Sequence, residues 1–248
     1  MKWFRTLMLI AALWLPLAAV AEKISMVIGL ALPPYVIADR DTGIELEIVR
    51  ESLAYRGHEL VPVYVPFWRV LSMLEQGLTD AAMTVNEDSG ISDGVFYSQS
   101  HITYQNQVIG LKSRSYPITE IKDLAPYSIL AFQSARKYLG DEFAAMASEN
   151  PQYQEIARQA KQVTMLYSGR IDLVVMDKNI FNYYRQQEVR VGTDAGIERF
   201  ELFPPSHYKV AFIRADWRDD FDAGLQHLIE SGRYQAIVNR FITPSDQP

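Results

Sequence analysis

The chain has no cysteine. Disulfides, thiolate metal sites and thiol nucleophiles are therefore excluded. Histidine is scarce, with 4 in 248 residues. His58, His101, His207 and His227 are isolated, with no i,i+4 pair and no H-E-x-x-H, so no zinc site is expected. Basic residues are outnumbered, 24 Lys+Arg against 30 Asp+Glu, and no basic run occurs, so nucleic acid is not expected as a main partner. There is no G-x-S-x-G and no glycine-rich phosphate loop. Ser134-Ala135-Arg136-Lys137 fits S-x-x-K, but no S-D-N or K-T-G accompanies it. No repeat, low-complexity tract or long linker is visible. What is there is ordinary for a globular protein: 48% hydrophobic and 22% charged residues, which excludes disordered, collagen-like and coiled-coil chains. A mass of 28.3 kDa suits one large domain or two small ones.

The N-terminus reads as an export signal. Lys2 and Arg5 form a positive n-region, Thr6 to Ala18 a short apolar h-region, and Ala19-Val20-Ala21 an A-x-A cleavage site. Cleavage before Glu22 is expected, giving a soluble periplasmic protein. The apolar stretch is short for a membrane anchor, and no second one of 18 residues follows. A chain without cysteine suits an oxidising compartment.

The remaining pattern alternates strands and helices. Strands are predicted at Lys23–Leu32, Leu60–Val65, Asp80–Val85 and Gln107–Lys112, with helices at Ile44–Tyr55 and Trp68–Gln76. The order β-α-β-α-β implies parallel strands covered by helices. A second unit follows, with strands at Ser128–Phe132, Asp172–Met176 and Lys209–Ile213. Its helices are predicted at Ser134–Ala147, Lys161–Tyr167, Asn179–Arg185, Asp219–Glu230 and Tyr234–Phe241.

Six motifs in order carry a resemblance: Pro33-Pro34-Tyr35, Gly43-Ile44-Glu45-Leu46-Glu47, the Phe67–Asp80 segment with its glycine turn and Asp-Ala, Tyr97-Ser98, Ser168-Gly169-Arg170-Ile171-Asp172, and Leu173 to Asp177. Together they resemble the amino-acid-type (family 3) periplasmic solute-binding proteins of ABC importers, from about Ile24 to Phe241. The resemblance implies an α/β fold of two lobes joined by two crossover strands, with a ligand cleft between them. Lobe one is expected at 22–111 plus 212–248, and lobe two at 112–211. It implies a small polar solute as ligand, an inner-membrane ABC permease as partner, a monomer and no cofactor. It also implies that Tyr35 lines the cleft and that Asp177 receives an amine. One departure stands out. The family's carboxylate-clamping Arg has no counterpart in Thr84 to Gly90, and a bidentate guanidinium pair is both strong and selective. The acid is kept and the base is missing, which points to an amine-bearing ligand or to an anion held elsewhere.

Each candidate residue has a functional and a plain reading. Tyr35 and Trp68 can stack on a ligand or fill the core. Arg69 can replace the missing clamp or lie on the surface. Thr84 and Asn86 can bond a ligand or stabilise a turn. Ser134 can cap a helix whose N–H groups bind an anion, or merely cap it. Asp177 can bind an ammonium or cap the following helix. Three functions fit: an importer's binding protein, a binding protein feeding a sensor, and a dehydratase-like enzyme on the same scaffold. The last needs a general acid such as Asp177 or Glu87 with a raised pKa.

Overall fold

The computed structural model describes residues 22–30, 32–91 and 93–242; the expected export signal at 1–21 lies outside them. The first sheet is built from β1 (Lys23–Gly29), β2 (Glu59–Val65), β3 (Ala81–Val85), β4 (Phe96–Tyr97), β5 (Ile102–Tyr104) and β11 (Ser206–Phe212). Its order is β2-β1-β3-β11-β4, with β5 also paired to β11. The second sheet holds β6 (Asn106–Leu111), β7 (Ile129–Phe132), β8 (Tyr153–Ile156), β9 (Leu173–Asp177) and β10 (Ile197–Phe200), in the order β10-β6-β9-β7-β8. Each sheet has three parallel strands, β2-β1-β3 and β8-β7-β9, followed by an antiparallel one, β11 and β6. The central strands are apolar because helices cover both faces.

The helices are α1 (Ile44–Ala54), α2 (Val70–Glu75), α3 (Ala135–Tyr138), α4 (Asp141–Glu149), α5 (Ala160–Tyr167), α6 (Lys178–Gln187), α7 (Ala215–Glu230) and α8 (Arg233–Phe241). Helix α1 buries Ile44, Leu46, Ile48, Val49 and Leu53. It packs so closely on α7 that a Cβ on Gly224 would sit 1.9 Å from the Ser52 carbonyl oxygen.

The chain passes between the sheets twice, at Gln105 and through 201–205. Thus β6 pairs in the second sheet and β11 in the first, so both passages precede the boundaries expected at 111/112 and 211/212. Tyr104, Gln105 and Asn106 consequently sit where the two sheets meet.

The two halves share a device. Asp80 Oδ2 accepts from Ser25 N and Oγ at 2.9 and 2.6 Å, tying β3 to β1. Asp172 Oδ2 accepts from Ser128 N and Oγ at 3.0 and 2.6 Å, tying β9 to β7. Both acids end a Gly-x-x-Asp turn, at Gly77 and Gly169. Four residues with two fixed positions are too short to stand out as a repeat.

The helix predicted at 134–147 is two helices. Gly140 breaks it at φ 89°, a conformation that suits glycine. Ser134 adopts φ 66° and makes no side-chain cap, which corrects the capping role. Its N–H donates instead to Glu155 Oε2 at 2.7 Å. The segment predicted as one helix at 68–76 begins as a 3-10 turn over Phe67–Arg69 before α2.

Candidate functional site

The C-terminal ends of the parallel strands point toward one crevice, the place where open α/β sheets bind ligands. A cleft of about 560 Å³ lies there. Leu30 and Leu32 follow β1, Thr84 lies near the end of β3, Phe132 ends β7 and Gln133 follows it, Arg158 and Gln159 follow β8, and Asp177 ends β9. Phe67 and Tyr138 approach across the cleft edge to face, with ring centroids 6.3 Å apart.

Asp177 is buried and serves two purposes. Its Oδ1 accepts from the N–H groups of Asn179 (2.8 Å) and Ile180 (3.0 Å), capping α6. The same oxygen accepts from Tyr35 Oη at 3.1 Å, and Oδ2 accepts from Gln105 N at 2.8 Å. Burial pushes its pKa up to about 6, and the four hydrogen bonds oppose that rise. A carboxylate offers about four lone-pair sites, two on each oxygen. Oδ2, with one protein donor, retains capacity to accept.

Beneath the cleft lies a second buried carboxylate, Glu45. Oε1 accepts from Thr84 Oγ1 (2.8 Å) and pairs with His101 Nε2 (2.9 Å); Oε2 accepts from Tyr104 Oη (2.8 Å). Tyr104 stacks on Tyr35 with centroids 3.8 Å apart and an interplanar angle of 16°. Burial, reinforced by Asp177 for Tyr35 and by Glu45 for Tyr104, holds both phenols well above the usual range. Gly43 makes this layout possible. It has φ 136°, and a Cβ there would lie 2.2 Å from the Tyr35 carbonyl oxygen. That approach lets Glu45 N donate to Tyr35 O at 3.1 Å, so the start of α1 sets both residues.

The seven sequence candidates are dispersed. Tyr35 is buried below the cleft rather than lining it, because its hydroxyl engages Asp177 and its ring covers Tyr104. Trp68 is 65% exposed and edges a separate pocket of about 130 Å³, which Ser134 also lines. Its neighbour Phe67 lines the main cleft instead. Arg69 lies 5.9 Å over the Trp68 ring and lines neither space. Asn86 edges another groove, and its side chain caps a 3-10 turn in a reciprocal box with Ser89. Thr84 and Asp177 line the cleft together. Thr84 holds φ 61°, a strained conformation for a β-branched residue.

Glu87, considered as a general acid, has the opposite shift. A hydrogen bond from Lys209 holds it below the ordinary range. No cluster of His, Asp or Glu able to hold a metal occurs among the described residues. Sequence reading missed Phe67, Tyr104, Asn106, Arg158 and Gln159 as cleft residues. Only Phe67 had a signal, as the start of a motif segment.

Comparison with known proteins agrees with this geometry. The model of bacterial extracellular solute-binding proteins, family 3, matches residues 24–244. An ancestral arginine-binding protein bound to arginine superposes with TM-score 0.72 at 17% identity, over 89% of this chain and 98% of that one. A substrate-binding protein of an amino acid ABC transporter from Streptococcus pneumoniae, bound to L-arginine, gives 0.68 at 19% identity, over 91% and 97%. A histidine kinase sensor domain with similarity to periplasmic binding proteins gives 0.72 at 17% identity, over 89% and 96%. No curated protein sequence matches the chain. With its two sheets, two crossings and cleft at the strand ends, the chain belongs to the bacterial extracellular solute-binding proteins, family 3.

Proposed function

We propose that this protein is a periplasmic binding protein that captures a small polar solute between its lobes and delivers it to an ABC importer in the inner membrane. The observation that carries this reading is the cleft itself: about 560 Å³ at the strand ends of both sheets, spanned by two chain crossings. Two crossings form a natural hinge, and closure would bury the solute. Asp177 is the proposed seat for an amine, since a ligand ammonium on Oδ2 would offset the burial that raises its pKa. The permease, the export step and a monomeric state belong to this proposal. A catalytic role has less support, because the family is one of solute-binding proteins.

The test is mass spectrometry of small molecules carried by the native protein, followed by small-angle scattering with and without the molecule found. A bound solute and a compaction support capture. An empty protein that no solute compacts refutes it. A sensor reading also has a specific basis, the similarity to a histidine kinase sensor domain. Crosslinking in membranes separates the two: recovery of a permease supports import, and recovery of a kinase supports sensing.

A further inference from the structure

The two walls of the cleft differ in their uncommitted polar groups. The first lobe contributes Leu30, Leu32, Pro66 and Phe67, while its Thr84 and Tyr104 are committed to Glu45 and Tyr208 packs edge-on against Tyr104. The second lobe adds apolar lining at Phe132, Ala157 and Ile180, but it also contributes Asn106, Gln133, Arg158 and Gln159, whose side chains have no hydrogen-bond or ion-pair partner among the described residues. Asn106 and Gln159 are only 6% and 8% exposed. Their amide atoms are not sealed from solvent, so they open onto the cleft, where a ligand can meet them.

Arg158 is the one cation among the described residues lining this cleft. The nearest acid along the chain, Glu155, does not engage it. Glu155 accepts from Ser134 N (2.7 Å), Arg136 N (3.1 Å) and Tyr153 Oη (2.8 Å), and its ion pair is with Arg136 at 3.5 Å. The carboxylate that lines the cleft, Asp177, takes its donors from Tyr35, Gln105, Asn179 and Ile180. The guanidinium is therefore left for something the protein does not supply.

We propose that Arg158 is the anion anchor of the cleft, and that the solute is an amphipathic carboxylate. Its anionic end sits on the second lobe at Arg158, flanked by the amides of Asn106 and Gln159. Its apolar body lies against Leu30, Leu32 and Phe67 of the first lobe. This rests on the solute-capture reading and names its ligand class. A guanidinium takes a carboxylate through two parallel hydrogen bonds, which lysine cannot imitate. Closure would strip water from that pair and strengthen it. The missing clamp after β3 is thereby replaced from the opposite lobe.

The test uses three probes by calorimetry: 3-phenylpropionate (ring and carboxylate), propionate (carboxylate alone) and 2-phenylethylamine (ring and ammonium). 3-Phenylpropionate is expected to bind at least tenfold more tightly than propionate. In Arg158→Gln its affinity should fall tenfold or more, while that of 2-phenylethylamine changes by less than twofold. Arg158 is exposed and unpaired, so the melting temperature without probe should not move. Failure of 3-phenylpropionate to bind, or equal binding to Arg158→Gln, overturns the proposal. If the native protein carries a solute that Arg158→Gln retains, the anchor fails while solute capture stands. A native protein with no solute that no probe compacts is the failure of capture itself.

Discussion

Tyr35 of the first lobe donates its phenolic hydrogen to Asp177 of the second at 3.1 Å, and Asn179 Nδ2 donates to the same phenolic oxygen at 2.8 Å. The pair ties the lobes together at the floor of the cleft. Both side chains are buried, so water does not compete for this bond. The bond also links the α6 cap to the stacked pair Tyr35–Tyr104, and through Tyr104 to Glu45. A change in how the lobes sit would be felt at Asp177.

Tyr35→Phe tests that tie. It leaves Asp177 with one donor fewer and Asn179 Nδ2 without its acceptor. An unsatisfied buried polar group costs about 1–3 kcal/mol, so the urea midpoint should fall with little change in slope. The lost hydrogen bond also helped to hold the Asp177 pKa down, so that pKa should rise further. An unchanged midpoint would mean that the bond contributes nothing to the folded state.

Asp177→Asn has a pH signature. The folded pKa of about 6 lies above the ordinary value of 3.8. For a raised pKa, the folded state binds the extra proton between those values, so stability falls as pH rises through the window. The contribution is fully present below about pH 4 and lost above about pH 6, on the order of 3 kcal/mol. Asn lacks this titration. Relative to the variant, the wild type should lose stability between pH 4 and pH 7. The variant carries a separate, pH-independent cost of about 1–3 kcal/mol, because its amide would face the Gln105 N–H that Oδ2 now accepts. Parallel curves of melting temperature against pH would contradict the assignment. Calorimetry of 2-phenylethylamine on the same pair tests the proposed amine seat, with a loss of about 2–5 kcal/mol expected in Asp177→Asn.

Glu45 gives a graded prediction. Glu45→Ala leaves Thr84 Oγ1, His101 Nε2 and Tyr104 Oη without their acceptor inside the core. Breaking such a buried network should cost about 3–5 kcal/mol. Glu45→Gln should cost less. Its carbonyl can keep Thr84 and His101, and the Tyr104 hydroxyl can turn to accept from the amide. Chemical denaturation orders the two variants, and equal losses would show that the carboxylate charge itself is required.

The fold was legible where apolar periodicity is strong. Strands β1, β3 and β9 and helices α1, α7 and α8 match their predicted positions to within a few residues. Strands β8 and β10 were missed. Each has four residues, lies at a sheet edge and is only half-buried, so Tyr153-Gln154-Glu155-Ile156 and Ile197-Glu198-Arg199-Phe200 lack a clean apolar signal. Asp177 could be found because an acid ending an apolar strand is conspicuous. Arg158 could not, since a loop arginine carries no periodic mark and its meaning comes from the partners it lacks. Tyr35 was found but misplaced, because its burial depends on Asp177, 142 residues away.

Small neutral amino acids should not stabilise this protein. In amino-acid binders, the resemblance places a carboxylate clamp in the stretch that here runs from Thr84 to Gly90. The structure fills that stretch with groups engaged elsewhere. Thr84 donates to Glu45, Asn86 and Ser89 cap each other, and Glu87 pairs with Lys209. Alanine and glutamine also lack an apolar body to cover Leu30, Leu32 and Phe67. A ligand at 100 times its dissociation constant adds about 2.7 kcal/mol of stability. For a chain of this size that is about 5–10 °C in melting temperature. A thermal-shift series with alanine, glutamine and 3-phenylpropionate should show a rise of that order only for the last. A comparable rise with alanine or glutamine would mean that the α-carboxylate has a clamp after β3 despite the missing arginine, and that the cleft selects ligands by some other contact.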